Sequence, residues 1–231
     1  MTLLQAWEGE ADCRNCTLRE SALFSSLTED DFAVVHGQVE QVTMSPGDIL
    51  YKIADPGYHL FTVRSGLVKL VQYLPDGTQR IVRLAFGADV IGLEMMVGEH
   101  YLHEVVALRT TELCRYPIAA VNRICTTNAA LHADLMSRWQ RALSEAEASL
   151  VLLSTGTAKR RMANLLLRLL DGQDSSECFL FSREDVGSIL NMTVETASRT
   201  LSEFKRQGVI KEIRNNHFDL DVPAMKVIAT I

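Results

Sequence analysis

The chain has 231 residues, 47% of them hydrophobic, and a formal charge of −6. That is enough to bury a sizeable core in one large domain or two smaller ones, and the acid excess argues against binding of a polyanion by bulk charge. The imbalance is uneven, because residues 1–154 carry 12 Lys and Arg against 19 Asp and Glu whereas residues 155–231 carry 11 against 10; a nearly neutral C-terminal part binds nucleic acid only through paired copies and well-placed cations.

No run reaches the roughly 18 apolar residues of a membrane span, and the start lacks a basic then apolar signal segment. A cytoplasmic protein without membrane contacts is expected. Cys13, Cys16, Cys114, Cys125 and Cys178 make an odd number in a large chain, which disfavours a disulfide framework and leaves reduced thiols or metal ligands.

Residues 1–25 read as an N-terminal arm bearing the Cys13–Cys16 pair. A helix start follows at Thr28, with Asp31 three residues on. Residues 26–127 then form one domain. From about Val39 to Pro117, turn signals recur at Pro46-Gly47-Asp48, Asp55-Pro56-Gly57, Arg64-Ser65-Gly66 and Pro75-Asp76-Gly77. Between them lie β-rich runs such as Leu60–Val63 and Leu67–Tyr73. That rhythm predicts an antiparallel β-roll or jelly roll.

After Pro117 the pattern turns helical. Residues 128–154 form a long helix in which Leu135, Trp139, Ala142, Ala146, Leu150 and Leu153 recur at threes and fours. A helix this long finds a partner in a second copy of itself, giving a two-fold dimer; the alternative is a helix that covers its own β-domain. Thr155-Gly156-Thr157 interrupts it and opens a final domain, 155–231. Ala158–Leu170 is amphipathic, and Asp171–Ser176 is a polar loop.

Ser182-Arg183-Glu184-Asp185 has capping-box spacing and starts a short helix that presents Val186, Ile189 and Leu190 and ends near Asn191. Thr193 caps a second helix. In it Val194, Ala197 and Leu201 face inward, while Glu195, Ser198, Arg199 and Ser202 lie on the outer face. This is a helix-turn-helix pattern, although two short helices with a polar turn also arise from ordinary packing. Arg suits a guanine edge, Glu accepts from cytosine N4, and Ser adds contacts of either sense. Glu195 and Arg199, one turn apart, are placed to hold each other. Ser182, Thr193, Thr196, Lys205, Arg206, Lys211 and Arg214 are candidates for phosphate. Gly208 and the segments Val209-Ile210 and His217–Leu220 predict a helix stop and a small hairpin, the wing of a winged helix. No P-loop, His-Glu-x-x-His string or Ser/His/Asp ordering appears, and Glu94, Glu99 and Glu104 form no paired geometry that sequence can show; neither an enzyme nor a non-DNA interaction module is favoured.

At these residues the chain resembles the CRP/FNR superfamily of bacterial transcription regulators over nearly its whole length. Gly47-Asp48, Leu60–Gly66 and Val90-Ile91-Gly92 resemble the sensor β-roll, Lys159-Arg160-Arg161-Met162-Ala163 the start of the DNA-binding domain, and Thr193–Arg199 the recognition helix of the FNR branch. The resemblance implies an α+β chain and a homodimer on double-stranded DNA, with Glu195, Ser198 and Arg199 reading a TTGAT-N4-ATCAA type palindrome and β-roll loops recruiting RNA polymerase. The cyclic-AMP-binding branch carries a Gly-Glu pair and an Arg-Ser pair. Here Gly92 is followed by Leu93, and 98–104 contains no arginine, so cyclic AMP is not the expected effector. In the oxygen-sensing branch three N-terminal cysteines and one from the β-roll hold a four-iron, four-sulfur cluster. Cys13, Cys16 and Cys114 match three of these positions, and Ala22 stands at the remaining one. Asp12, Glu20, His36, Cys125 or a small molecule are the options for a fourth ligand. Thiol-based redox sensing, heme on His100, His103, Met95 or Met96, and no cofactor at all, with Cys114 simply a core residue, are the alternatives.

Overall fold

The computed structural model describes residues 39–170 and 175–230, which fall into two compact units, residues 39–73 with 82–143 and residues 74–81 with 144–230. The helix start expected at Thr28 lies outside the described residues, as do Cys13, Cys16, Ala22 and His36.

The first unit is built on two antiparallel four-stranded sheets, of which only the start of one edge strand, Gln79–Ile81, falls in the second unit. One runs β1 (Glu40–Met44), β8 (Thr111–Pro117), β3 (His59–Ser65), β6 (Val90–Ile91); the other runs β2 (Ile49–Tyr51), β7 (Glu104–Ala107), β4 (Val68–Tyr73), β5 (Gln79–Ala85). All four turn signals read from the sequence fall between strands or at their ends. The alternation within the runs is incomplete for a physical reason: the first sheet is buried on both faces. In β3, Leu60 points into one apolar cluster and Phe61 and Val63 into another; in β8, Leu113 faces the cluster between the sheets while Cys114 and Tyr116 face the helical side. A strand covered on both faces needs apolar residues at consecutive positions, and the period of two disappears.

Two helices cover that outer face. α1 (Ile118–Cys125) supplies Val121 and Ile124, and α2 (Ala129–Ser154) supplies Leu131 and Leu135. Between β6 and β7 a single 3-10 turn, Leu93–Met96, sends Leu93 and Met96 to the helical side and Met95 to the inter-sheet side.

In the second unit, α3 (Ala158–Arg168) begins at Thr157, whose hydroxyl accepts the Arg160 N–H, and buries Met162, Ala163, Leu165 and Leu166. α4 (Arg183–Leu190), α5 (Val194–Gln207) and α6 (Val222–Thr230) surround it, with a three-stranded sheet ordered β10 (Ile210–Arg214), β11 (His217–Leu220), β9 (Glu177–Phe179). The wing expected from Gly208 onward is therefore present and carries a third strand, in which Cys178 is buried opposite Phe218.

Thr111 ties the β3–β4 corner to β8. Its hydroxyl accepts the buried Leu67 N–H at 3.1 Å and donates to the Arg109 carbonyl at 2.8 Å. Thr111→Val keeps the shape and strands the Leu67 donor, so a destabilisation of about 1–3 kcal/mol is expected. Urea unfolding of the full chain, followed by circular dichroism, measures it; an unshifted midpoint would show that the hydroxyl contributes nothing.

Candidate nucleic-acid interface

The geometry of α4 and α5 is set by caps at each end and by one close approach between them. The Ser182 hydroxyl accepts the Asp185 N–H at 3.1 Å and donates to the Asp185 carboxylate at 3.0 Å, so donor and acceptor are both satisfied at the start of α4. Asn191 ends the helix in the left-handed conformation, φ 51° and ψ 55°, a region that Asn tolerates better than most residues. The chain then folds back so tightly that a Cβ at Gly187 would lie 2.7 Å from the Met192 carbonyl oxygen. Thr193 accepts the Thr196 N–H at 3.2 Å and opens α5. Gly208, φ 74°, closes it.

From the side, Arg161 of α3 donates to the carbonyl oxygens of Leu190 and Asn191, the latter at 3.0 Å. These are last-turn acceptors of α4, which helix geometry leaves unpaired. The turn between the helices is thus held through its backbone by Arg161, a residue with no local sequence signal for that contact.

On α5, Ala197, Thr200, Leu201 and Phe204 are buried, while Glu195, Arg199 and Ser202 are exposed and Ser198 is half-buried. The expected outer face is the observed one. Two details differ. Val194 does not pack inward and is 40% exposed beside Glu195, because it occupies the first turn, beyond the reach of the core. Glu195 and Arg199 form no ion pair; instead the Glu195 backbone N–H and the Thr193 hydroxyl hold the Glu195 carboxyl below its usual range. It stays ionised at neutral pH and presents a pure acceptor.

The phosphate candidates separate into two groups. Thr196 and Thr193 join hydroxyls at 3.1 Å at the head of α5, and Ser182, Arg206, Lys211 and Arg214 are exposed. Lys205 is committed elsewhere: its ammonium pairs with Glu212 and lies 5.2 Å from the centre of the Phe218 ring, so it ties α5 to the wing.

The residues expected along the long helix are divided. Leu135 and Leu153 are buried in the chain's own core, and Trp139 packs on the cluster around Leu131. The β-roll takes the Leu131–Leu135–Trp139 stripe, and Leu153 is buried in the second unit. Ala142 and Ala146 are half-buried and Leu150 is 66% exposed. The apolar residues left open at sevens are Met136, Leu143 and Leu150, with Val151 beside them.

Among the described residues the sensor candidates do not converge. Cys114 is 5% exposed in the cluster of Val39, Leu60, Tyr116, Val121 and Ile124, directly opposite Thr62, and Cys125 packs half-buried on the same cluster. Burial pushes the Cys125 thiol pKa up. Among the described residues no group of three or more His, Cys, Asp or Glu is placed to hold a metal. Met95 and Met96 face different clusters, His100 is exposed in a bridge to Pro56, and His103 lies 3.8 Å from Glu94; these four do not form one heme site. Leu93 is buried, and Tyr101 stacks on Tyr51 at 3.7 Å.

Two domain families match the chain: Cyclic nucleotide-binding domain over residues 41–128 and Crp-like helix-turn-helix domain over residues 160–227. The transcriptional activator protein anr of Pseudomonas aeruginosa is 29% identical over 208 residues, covering 87% of this chain and 85% of that protein. The nitrogen fixation regulation protein FixK of Bradyrhizobium diazoefficiens is 27% identical over 223 residues, covering 94% and 93%. The solved structure of FixK2 from Bradyrhizobium japonicum superposes with a TM-score of 0.74 at 24% identity, covering 82% of this chain and 96% of that one. No described helix is long and apolar enough to cross a membrane.

Gly187→Ala forces a methyl group against the Met192 carbonyl, a backbone atom with nowhere to move. A loss of about 1–3 kcal/mol, as for other overpacked sites, is expected for the C-terminal unit in chemical denaturation; a variant as stable as the parent would refute the close approach.

Proposed function

The chain belongs to the CRP/FNR superfamily of transcription regulators, on its FNR side, and from that premise we propose that it acts as a homodimer reading a TTGAT-N4-ATCAA type palindrome. That it is a DNA-binding transcription regulator and not an enzyme follows from its relatives. The operator reading is carried by one observation: Glu195, Ser198 and Arg199 lie on one side of a helix that is capped at both ends and buries Ala197, Thr200, Leu201 and Phe204 on the other. Arg199 is assigned to a guanine edge, Glu195 to a cytosine amino group and Ser198 to a flanking base. Thr193, Thr196, Ser182, Arg206, Lys211 and Arg214 are assigned to phosphate, and Lys205 acts mainly by fixing the wing.

Dimerisation is assigned to α2 through Met136, Leu143 and Leu150, a seven-residue repeat left open by the core, with Ala142 and Ala146 allowing close approach. Two copies would set the two reading helices about one turn of DNA apart, as a palindrome requires. The family resemblance supports RNA polymerase as the further partner, met by loops of the β-roll.

For the input we infer a redox-type signal read through Cys13, Cys16 and Cys114. The chemistry of this donor set supports it: three thiols suit an iron–sulfur cluster, which would supply sensitivity to oxidants. Cys13 and Cys16 would bring it to the arm, and Cys114 to the helical side of the β-roll. The described residues do not by themselves hold such a group, since Cys114 stands in an apolar cluster and the other two lie outside them. A cyclic nucleotide fits poorly, because Leu93 belongs to the core and Tyr101 fills the space against Tyr51.

Replacing Arg199 or Glu195 by Ala is expected to cost about 1–3 kcal/mol of operator binding each and to relax specificity at one base pair, read by titration of labelled palindromes at fixed salt. Unchanged affinity and specificity in the Arg199→Ala protein would sink the reading role. Leu143→Glu is expected to give monomers in sedimentation, and a dimer of parental strength would remove α2 as the seam. Anaerobic purification should yield coloured protein with iron and sulfide; colourless, iron-free protein would remove the cluster.

A further inference from the structure

The segment Leu74–Ile81 joins β4 to β5 and belongs to the same compact unit as the helix-turn-helix. β5 is the edge strand of its sheet, so the backbone groups on its outer side need partners from elsewhere. One hydroxyl satisfies two of them. Ser188, in the middle of α4, donates to the Gln79 carbonyl at 2.9 Å and accepts the Ile81 N–H at 3.0 Å. Two side chains clamp the same junction on either side: the Gln79 amide donates to Asp185 at 3.3 Å and the Arg80 guanidinium to the Asn191 side-chain oxygen at 2.9 Å. Asp185 and Ser188 lie one turn apart on α4, and Asn191 follows at its C-terminal end.

The identity of Asn191 gives this junction a function. Its backbone is left-handed, and glycine would serve that conformation at least as well. What Asn adds is a side-chain acceptor, and Arg80 uses it. The residue is therefore gripped twice, its carbonyl by Arg161 and its amide oxygen by Arg80. Two residues later Thr193 caps the helix that carries Glu195 and Arg199. The contacts reach α4 and the turn, and Glu195 and Arg199 remain exposed with the junction closed.

We propose that Gln79, Arg80 and Ser188 form a latch that positions the reading helix, so that the Leu74–Ile81 segment is a working part of the DNA-binding unit. Its role in operator affinity rests on the reading assigned above to α5; the latch itself does not. Arg80 acts through Asn191 and touches no base or phosphate.

The test uses the full chain and a double-mutant cycle on residues outside the core, Arg80→Ala and Asn191→Gly, the second keeping the left-handed turn. Each is expected to weaken binding to the labelled palindrome by about fivefold, and the double variant by no more than either alone, as for two residues that act through one contact. The slope of affinity against salt should be unchanged. Additive losses, unchanged affinity, or a salt slope reduced by about one, the mark of a phosphate contact, would each overturn the proposal. Independently of DNA, hydrogen exchange at the Ile81 amide should be protected in the parent and at least tenfold faster in Ser188→Ala, while Ser188→Thr restores protection, a tenfold change being about 1.4 kcal/mol of local opening. Equal exchange in parent and Ser188→Ala would show that the latch does not form. Protected Ile81 with an indifferent Arg199→Ala protein would instead place the failure in the operator reading.

Discussion

Burial of one sheet on both faces is the constraint from which most of this chain's arrangement follows. The β1–β8–β3–β6 sheet presents Leu113, Phe61 and Val63 to the neighbouring sheet and Leu60, Cys114 and Tyr116 to the helices. Apolar area left on its outer face would cost roughly 25 cal/mol per Å2, so α1 and the first half of α2 must lie there. That obligation consumes the Leu131–Leu135–Trp139 stripe of α2. What that leaves open on α2 is the stripe rotated from it, Met136–Leu143–Leu150, the face on which the proposed dimer rests.

The same logic explains what could and could not be read in the sequence. Turns were legible because Pro-Gly-Asp, Asp-Pro-Gly, Ser-Gly and Pro-Asp-Gly carry their conformational reasons locally. The caps at Ser182 and Thr193 were legible for the same reason, each needing only a hydroxyl and an N–H three residues on. The seam of the long helix was not. A 3.6-residue period identifies an apolar stripe but not its occupant, and here two stripes coexist on one helix, Leu135 for the sheet and Leu143 for solvent or a second copy. Val194 failed similarly: the period puts it inward, but the first turn of α5 lies beyond the core it would enter. The clasp of Arg161 on the α4 carbonyls and the commitment of Lys205 to Glu212 had no local signal at all, since both depend on which residues tertiary packing brings together.

Charge on the reading unit is organised rather than abundant. With 11 cations against 10 acids from 155 onward, net attraction to phosphate is slight, and several cations are already spent: Arg161 on backbone carbonyls, Lys159 on Glu203, Lys205 on Glu212, Arg168 on Glu145 and Ser149. These cations contribute to the shape of the unit more than to its potential. Arg199, Arg206, Lys211 and Arg214 stay exposed around α5 and the wing. In the dimer proposed above such a unit would gain affinity from geometry and from doubling, since two copies on one palindrome would convert the second encounter into an intramolecular one.

The input side is constrained by what the β-roll interior already contains. Tyr51 and Tyr101 stack at 3.7 Å, the Tyr101 hydroxyl donates to the His59 carbonyl at 2.8 Å, and the Met95 side chain occupies the space beside Gly57. Glu94 is held ionised, against its burial, by His103 and the Leu102 N–H, and Arg83, whose charge reaches Tyr51, lies 3.8 Å from Asp89. An anionic effector entering there would have to separate the tyrosines, expose Leu93 and approach the Glu94 carboxylate, and each of those steps is unfavourable. Cys114 lies on the opposite side of the same sheet, where α1 and α2 pack. The helical face around that thiol also holds Leu131, Leu135 and Trp139, so the cluster that contains Cys114 is the one that seats α2.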